Sequence, residues 1–229
     1  MPLRALTDPE RATVDGLMTF YRGRQVLLKS GLGFITELIT TEDLEPFVHS
    51  VKARIKSEES MEYKLSKKVI ESADANEQCD ITTTNFFEKI NDSIGVRLLH
   101  LSFYEFKNIH LLLLRLFKEA EVVLLEQKAY TWDPEYQKLF GELDLVVHEN
   151  PRYYTSVHYT IAANQLTWSA EIQVRTLAEE LWGEVDHKFN YPEQHASRAC
   201  RDQIRVLARQ VTGCSTLVDS IYLSAEEAK

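Results

Sequence analysis

In the segment Ala170-Glu171-Ile172-Gln173-Val174-Arg175, apolar and polar residues alternate without a break. In an extended strand that alternation puts Glu171, Gln173 and Arg175 on one face and the aliphatic residues on the other. Tyr154, Ser156 and His158 repeat the pattern one strand earlier, and Asp92-Ser93-Ile94-Gly95-Val96-Arg97 opens a third β-patterned run. Water is the ordinary home for a polar face. A carboxylate, a guanidinium, an imidazole and a phenol on neighbouring strands also suit a site for an anion and a metal.

Around these strands the patterning is that of an α+β domain. The apolar set Leu44, Phe47, Val48, Val51 and Ile55 follows helical spacing, with Glu42 and Asp43 placed to favour the positive end of a helix dipole. A second helix is expected over 61–69 and a surface loop over 73–85. Strands follow at 94–101, 121–130, 144–148, 156–162 and 167–175, the last two joined by a turn at Asn164-Gln165. A buried amphipathic helix over 103–119 separates the first two strands. Thr176 opens a further helix whose stripe Ala178, Leu181, Trp182, Val185 and Phe189 faces the core, with Glu180, Glu184 and His187 opposite. Pro192 ends it, and a long terminal helix covers 199–223. The expectation is one domain over 1–229, a mixed five-stranded sheet flanked by helices, with helical N- and C-terminal segments.

A formal charge of −9 argues against broad electrostatic binding to nucleic acid, though it leaves room for a local basic pocket. Cys79, Cys200 and Cys214 form no metal-ligand spacing, and their odd number suits a reducing cytosol. The early acids Asp8, Glu10 and Asp15 leave no apolar leader, and the longest purely apolar run, Leu111 to Leu114, is too short to span a membrane. A cytoplasmic protein with no membrane association is expected.

Transfer of a phosphoryl-type group needs carboxylates for a divalent ion, cations for phosphates, and alignment of donor with acceptor. Magnesium takes one or two carboxylates plus waters and substrate phosphates. Asp92 and Glu171 form such a pair if their strands are neighbours; the alternative is two solvated or salt-bridged acids. Asp92 and Arg97 have opposite strand parity, so Asp92 belongs at the strand's entrance. Arg54, Lys56, Lys64, Lys67 and Lys68 make the densest cation cluster, which a solvated helix face also explains. Tyr154 can stack on a purine or simply pack. The chain has no glycine-rich phosphate loop, and no cysteine has a visible histidine partner.

Taken in order, these elements resemble the synthetase domain of the RelA/SpoT family. They are Arg54-Ile55-Lys56-Ser57 with Lys64, Asp92-x-x-Gly95-x-Arg97, Tyr154-x-Ser156-x-His158, Glu171-Ile172-Gln173-Val174-Arg175-Thr176, and Trp182-x-Glu184-x-x-His187. The likeness runs from about 48 to 191. It implies a nucleotidyltransferase-like fold and transfer of pyrophosphate from ATP to the ribose 3′-hydroxyl of GDP or GTP, giving (p)ppGpp. By that resemblance Arg54 and Arg97 sandwich adenine, while Lys56, Ser57 and Lys64 belong to the ATP phosphate site. Asp92 and Glu171 bind Mg2+, with Glu171 placed to help deprotonate the hydroxyl. Tyr154 stacks on the acceptor base; Ser156, His158, Gln173, Arg175 and His187 complete the acceptor side. The stretch before Tyr154, His148 to Tyr153, has one firm cation, Arg152, where family members are more basic. Two alternatives therefore stay open: a toxic variant that pyrophosphorylates the tRNA 3′ CCA end or an adenine nucleotide, and an inactive nucleotide- or partner-binding domain. An antitoxin protein and a homo-oligomeric assembly are the further partners that the resemblance leaves open.

Overall fold

The computed structural model of the chain describes residues 3–190 and 197–227. Two helices, α1 (Asp8–Gly23) and α2 (Gln25–Ile39), lead into strand β1 (Ser50–Ile55) and helix α3 (Glu58–Asp74). A short α4 (Phe86–Lys89) precedes β2 (Ile94–His100), α5 (Phe106–Glu119) and β3 (Val123–Thr131). Then come α6 (Pro134–Glu142), β4 (Val146–Glu149), β5 (Ser156–Ala162), β6 (Ser169–Thr176), α7 (Leu177–Asn190) and the long α8 (Arg198–Glu227).

The strands form one mixed sheet in the order β1-β2-β6-β5-β3-β4. β2 lies parallel to β6, and β3 parallel to β4; the other three pairings are antiparallel. The α+β class is as expected, but the sheet has six strands rather than five. The extra one is β1, which falls within the segment read as a helix from Leu44. Only Glu45–Phe47 makes a short 3-10 turn there. Val48, Val51 and Ile55 satisfy helical spacing, yet Val51, Ala53 and Ile55 equally alternate with Lys52, Arg54 and Lys56. Antiparallel pairing of Ser50–Ile55 along β2 decided between the two periods. Helix α6 has no counterpart in the sequence reading. Its signal is local: Pro134 occupies its first turn, and the Asp133 carboxylate accepts from Glu135 N at 2.8 Å and Tyr136 N at 3.4 Å.

One face of the sheet is apolar and buried. Ile94, Val96 and Leu98, then Ala170, Ile172 and Val174, then Val157, Tyr159 and Ile161 belong to the main core. α2 packs against β1 and β2, and α5 lies against β3. The opposite face is covered only in part, by α7, which is itself held by α8.

The α7–α8 contact corrects the expected stripe of α7. Leu181 and Phe189 are exposed, at 56% and 42%, while Glu179, Glu180 and Trp182 are buried. Glu180 therefore does not face water, because α7 turns that side toward the sheet's charges. Pro192, expected to end α7, lies outside the described residues. Trp182 Nε1 donates to the Ile204 carbonyl at 3.1 Å, and Thr212 Oγ1 donates to Glu179 Oε1 at 3.1 Å. No described group pairs with Glu179 Oε2.

Burial raises the Glu179 carboxyl from its ordinary 4.5 to about 7, against the smaller lowering effects of Thr155, Thr212 and Arg175. Between those two values the folded chain keeps a proton that the unfolded chain has lost, so stability falls as pH rises through the window. The loss is about 3 kcal/mol and is complete only about one unit above pH 7, once the folded carboxyl has ionised too. Glu179→Gln should flatten the pH dependence from about 4.5 to 7, as read by chemical denaturation at several pH values. A variant that keeps the wild-type slope would show that Glu179 titrates normally.

Candidate active site

The strand register assembles the polar face row by row. Lys52 lies opposite Arg97, Arg97 opposite Gln173, and Gln173 opposite His158. The adjacent row runs Arg54, Gly95, Glu171, Thr160. Paired residues of neighbouring strands point to the same side, so the seven strand-borne polar groups of these two rows share one floor. Nothing lies within 4 Å of the position a Cβ would take at Gly95, which leaves open space between Arg54 and Glu171.

Two hollows, of about 330 and 520 Å³, open on this floor and share Arg54, Lys56, Asp92, Arg97 and Gln173. The smaller also takes in Glu171, and the larger adds Lys64, Tyr154, His158, Arg175 and His187. Asp92 sits two residues ahead of β2, at the strand's entrance. Of the sequence-predicted residues, two stand apart. Ser57 caps α3, its hydroxyl accepting from Ser60 N at 3.2 Å, and it lines neither hollow. Ser156 is fully buried in β5 and donates to the Val174 carbonyl at 3.4 Å.

Both carboxylates are held ionised. Burial works to raise the Asp92 carboxyl, but Lys64 and Lys56, each 2.6 Å from one of its oxygens, outweigh burial and bring it below the usual range. Lys64 itself moves down, because burial costs its ammonium more than Asp92 returns. At Glu171 burial again pushes upward. The His158 hydrogen bond at 3.1 Å, the one from Gln173 at 2.5 Å, and the charge of Lys64 together lower it to about 2. Lys64 thus acts on both acids. Among the described residues no group of three or more histidines, cysteines and acids is placed to hold a metal. A pair of ionised carboxylates on one cavity still matches an ion that takes the rest of its shell from phosphates and water.

The cations are seated by α7. Arg97 NH1 donates to Glu180 Oε1 at 3.0 Å and to Glu184 Oε1. Arg175, 7% exposed, donates to Gln173 Oε1, and burial followed by the charge of Arg97 lowers its pKa. Its NH1 passes so close under α7 that a Cβ at Gly183 would lie 2.6 Å from it. Tyr154 stacks on Trp182, with centroids 4.7 Å apart and planes at 16°. Burial raises its pKa, keeping the phenol neutral. His187 is pushed down, first by burial and then by Arg54 and Arg97. Lys52, Glu180 and Glu184 escaped the sequence reading as site residues. The alternation of Lys52, Arg54 and Lys56 was the available signal for the first, and the i, i+4 spacing of the two glutamates on α7 for the others.

Residues 53–196 match the family described as a region found in RelA/SpoT proteins. The GTP pyrophosphokinase YwaC of Bacillus subtilis (strain 168) is 29% identical over 147 residues, which are 64% of this chain and 59% of that protein's length. The small alarmone synthetase 1 of Bacillus subtilis superposes with a TM-score of 0.57 at 15% identity, covering 94% of this chain and 99% of that one. A GTP pyrophosphokinase family protein from Streptococcus pneumoniae does so with 0.56 at 17%, covering 97% of each. These superpositions show a shared nucleotidyltransferase-like α+β fold.

The tight seat of Arg175 under Gly183 yields a direct test. Gly183→Ala should change the melting temperature little or lower it, since the roughly 1 kcal/mol by which alanine favours a helix over glycine is set against moving a buried guanidinium off its partners. The same methyl displaces the guanidinium, so affinity for pyrophosphate, measured by calorimetry, should fall about tenfold. Undiminished affinity would mean that Arg175 does not meet the ligand.

Proposed function

The chain belongs to the family that carries the region found in RelA/SpoT proteins, and from that premise we propose that it transfers pyrophosphate from ATP to the ribose 3′-hydroxyl of GDP or GTP, making (p)ppGpp. The observation that carries this reading is the pairing of two ionised carboxylates, Asp92 and Glu171, on one cavity beside Arg54 and Arg97. The YwaC relative is a GTP pyrophosphokinase, and a small alarmone synthetase of the same fold has been seen bound to its product pppGpp. α3, β1, β2, β5, β6 and α7 each contribute to the walls of this one site.

Arg54, exposed on the edge strand, and Arg97 on β2 hold adenine between guanidinium planes, which stack on aromatic rings and also grip phosphates. Lys56 and Lys64 hold the ATP phosphates, exchanging Asp92 for the incoming anion. Asp92 and Glu171 would hold a Mg2+ ion, which when bound offsets the negative charge that develops on the transferred group. Glu171, with its low pKa, is always in the form that accepts a hydrogen bond, and it orients and helps deprotonate the 3′-hydroxyl. His158 and Gln173 keep Glu171 aimed, because they occupy one of its oxygens each.

On the acceptor side Tyr154 offers the base a ring already backed by Trp182. Arg175 and His187 line the same hollow and suit the acceptor's phosphates. Arg152, the one cation of the preceding loop, lines it too and pairs with Asp186 at 3.4 Å. Ser57 serves by capping the start of α3, about two turns ahead of Lys64.

An acceptor screen tests the reading: ATP and Mg2+ with GDP, GTP, AMP, ATP or tRNA in parallel. Formation of ppGpp or pppGpp is expected. Labelling of tRNA or of an adenine nucleotide instead would move the assignment to the toxic variant, and ATP binding without turnover would mark an inactive domain. Glu171→Gln is nearly isosteric and should lower turnover by at least about a hundredfold at unchanged melting temperature. Tyr154→Ala should raise the acceptor KM about tenfold with little change for ATP. Equal losses on both substrates would reduce Tyr154 to packing.

A further inference from the structure

Glu180 is a buried acid that the proposed chemistry leaves without a task. It is 5% exposed and sits in the first turn of α7, on the side turned to the sheet. Lys52 Nζ lies 2.8 Å and Arg97 NH1 3.0 Å from Oε1. Arg175 NH1 lies 3.4 Å from Oε2, a charge contact in which Oε2 accepts no hydrogen bond from the described residues. Those three cations come from β1, β2 and β6, three adjacent strands.

Without Glu180 the arrangement is electrostatically awkward. Arg97 and Arg175 are close enough for the charge of one to disfavour the charge of the other, and Arg175 has a buried Nε with no described partner. Two guanidiniums in a half-dry cleft repel strongly unless an anion sits between them. Glu180 supplies that anion from the protein, before any substrate arrives. Its neighbour Glu184 is different: it is half exposed and, among the described residues, meets Arg97, Lys52 at 3.8 Å and Glu180 itself, but not Arg175.

We propose that Glu180 is a positioning residue for both substrates, one carboxylate that seats the adenine-side Arg97 through Oε1 and the acceptor-side Arg175 through Oε2. This deepens the function proposed above and rests on it, since Arg97 and Arg175 serve different nucleotides only under that reading. Substrate binding then needs neither arginine to be gathered from a disordered set of rotamers, which lowers the ordering cost of each nucleotide. Glu184 steadies the adenine side alone.

Equilibrium binding of a non-hydrolysable ATP analogue and of GDP separates these roles. Glu180→Gln keeps the shape but removes the charge, and should weaken both nucleotides about tenfold each. Glu184→Gln should weaken the ATP analogue and leave GDP within about twofold. In turnover, Glu180→Gln should raise both KM values with kcat largely retained, because the reacting atoms are untouched. Melting temperatures are recorded alongside, and if Glu180→Gln does not fold, Glu180→Asp, with the charge kept and the reach shortened, reads the same comparison. Loss confined to one nucleotide, or to neither, overturns the dual seat while leaving the transferase reading intact. A wild-type protein that binds neither nucleotide sinks both.

Discussion

A charge set into a sheet face that a helix half covers must find a partner, and this requirement organises the molecule's working side. The polar positions of β1, β2, β5 and β6 come to one floor by register. Burial beneath α7 then makes unpaired charge costly. The result is a chain of short pairings: Lys56 and Lys64 on Asp92, His158 and Gln173 on Glu171, Arg97 and Arg175 on Glu180. Asp92 and Glu171 are thereby kept ionised, and Glu180 is paired with cations, before a ligand binds. Anions that enter the hollow exchange these partners rather than recruit mobile side chains, which is what preorganisation means for a phosphate site.

The second support is α8. It carries the base of the small apolar cluster of Trp182, Ile204, Ala208 and Val211. Through Trp182 it sets the plane of Tyr154, and Arg209 lies over the ring of Tyr153, 4.6 Å from its centroid. Tyr153 adopts a positive φ of 66°, a conformation uncommon for a residue with a side chain and held by its surroundings. Farther along, Asp219 of α8 accepts from Ser102 at 2.5 Å and from Tyr136 at 2.8 Å. The terminal helix is thus tied to the loop that presents Tyr154, to the segment following β2 and to α6. Among the described residues no helix is long and apolar enough to cross a membrane.

Much of the fold was legible because its periods were unambiguous. β5 and α8 fall where alternation and helical spacing put them, and β2 and β6 differ by a residue or two. β1 was not legible, since Val51 and Ile55, four apart, fit both periods and only a partner strand discriminates. The buried face of α7 was also missed. Leu181 and Phe189 looked like core on hydropathy, but the helix had to serve arginines on one flank and α8 on the other. In the site, Asp92, Glu171 and the motif cations were recognisable from order and spacing. Glu180 was not, because it falls opposite the apolar stripe expected to face the core and so reads as a group turned to water.

Which side chains share a face was written in the order of the residues, because alternation about an extended backbone is a local stereochemical matter. Whether those faces meet was not. Bringing Lys52, Arg97 and Arg175 onto one carboxylate needed the strand order β1-β2-β6 and a helix laid across it, contacts between residues up to 128 positions apart. Such pairings follow from the packing of the whole sheet, where burial turns distant charges into obligatory neighbours.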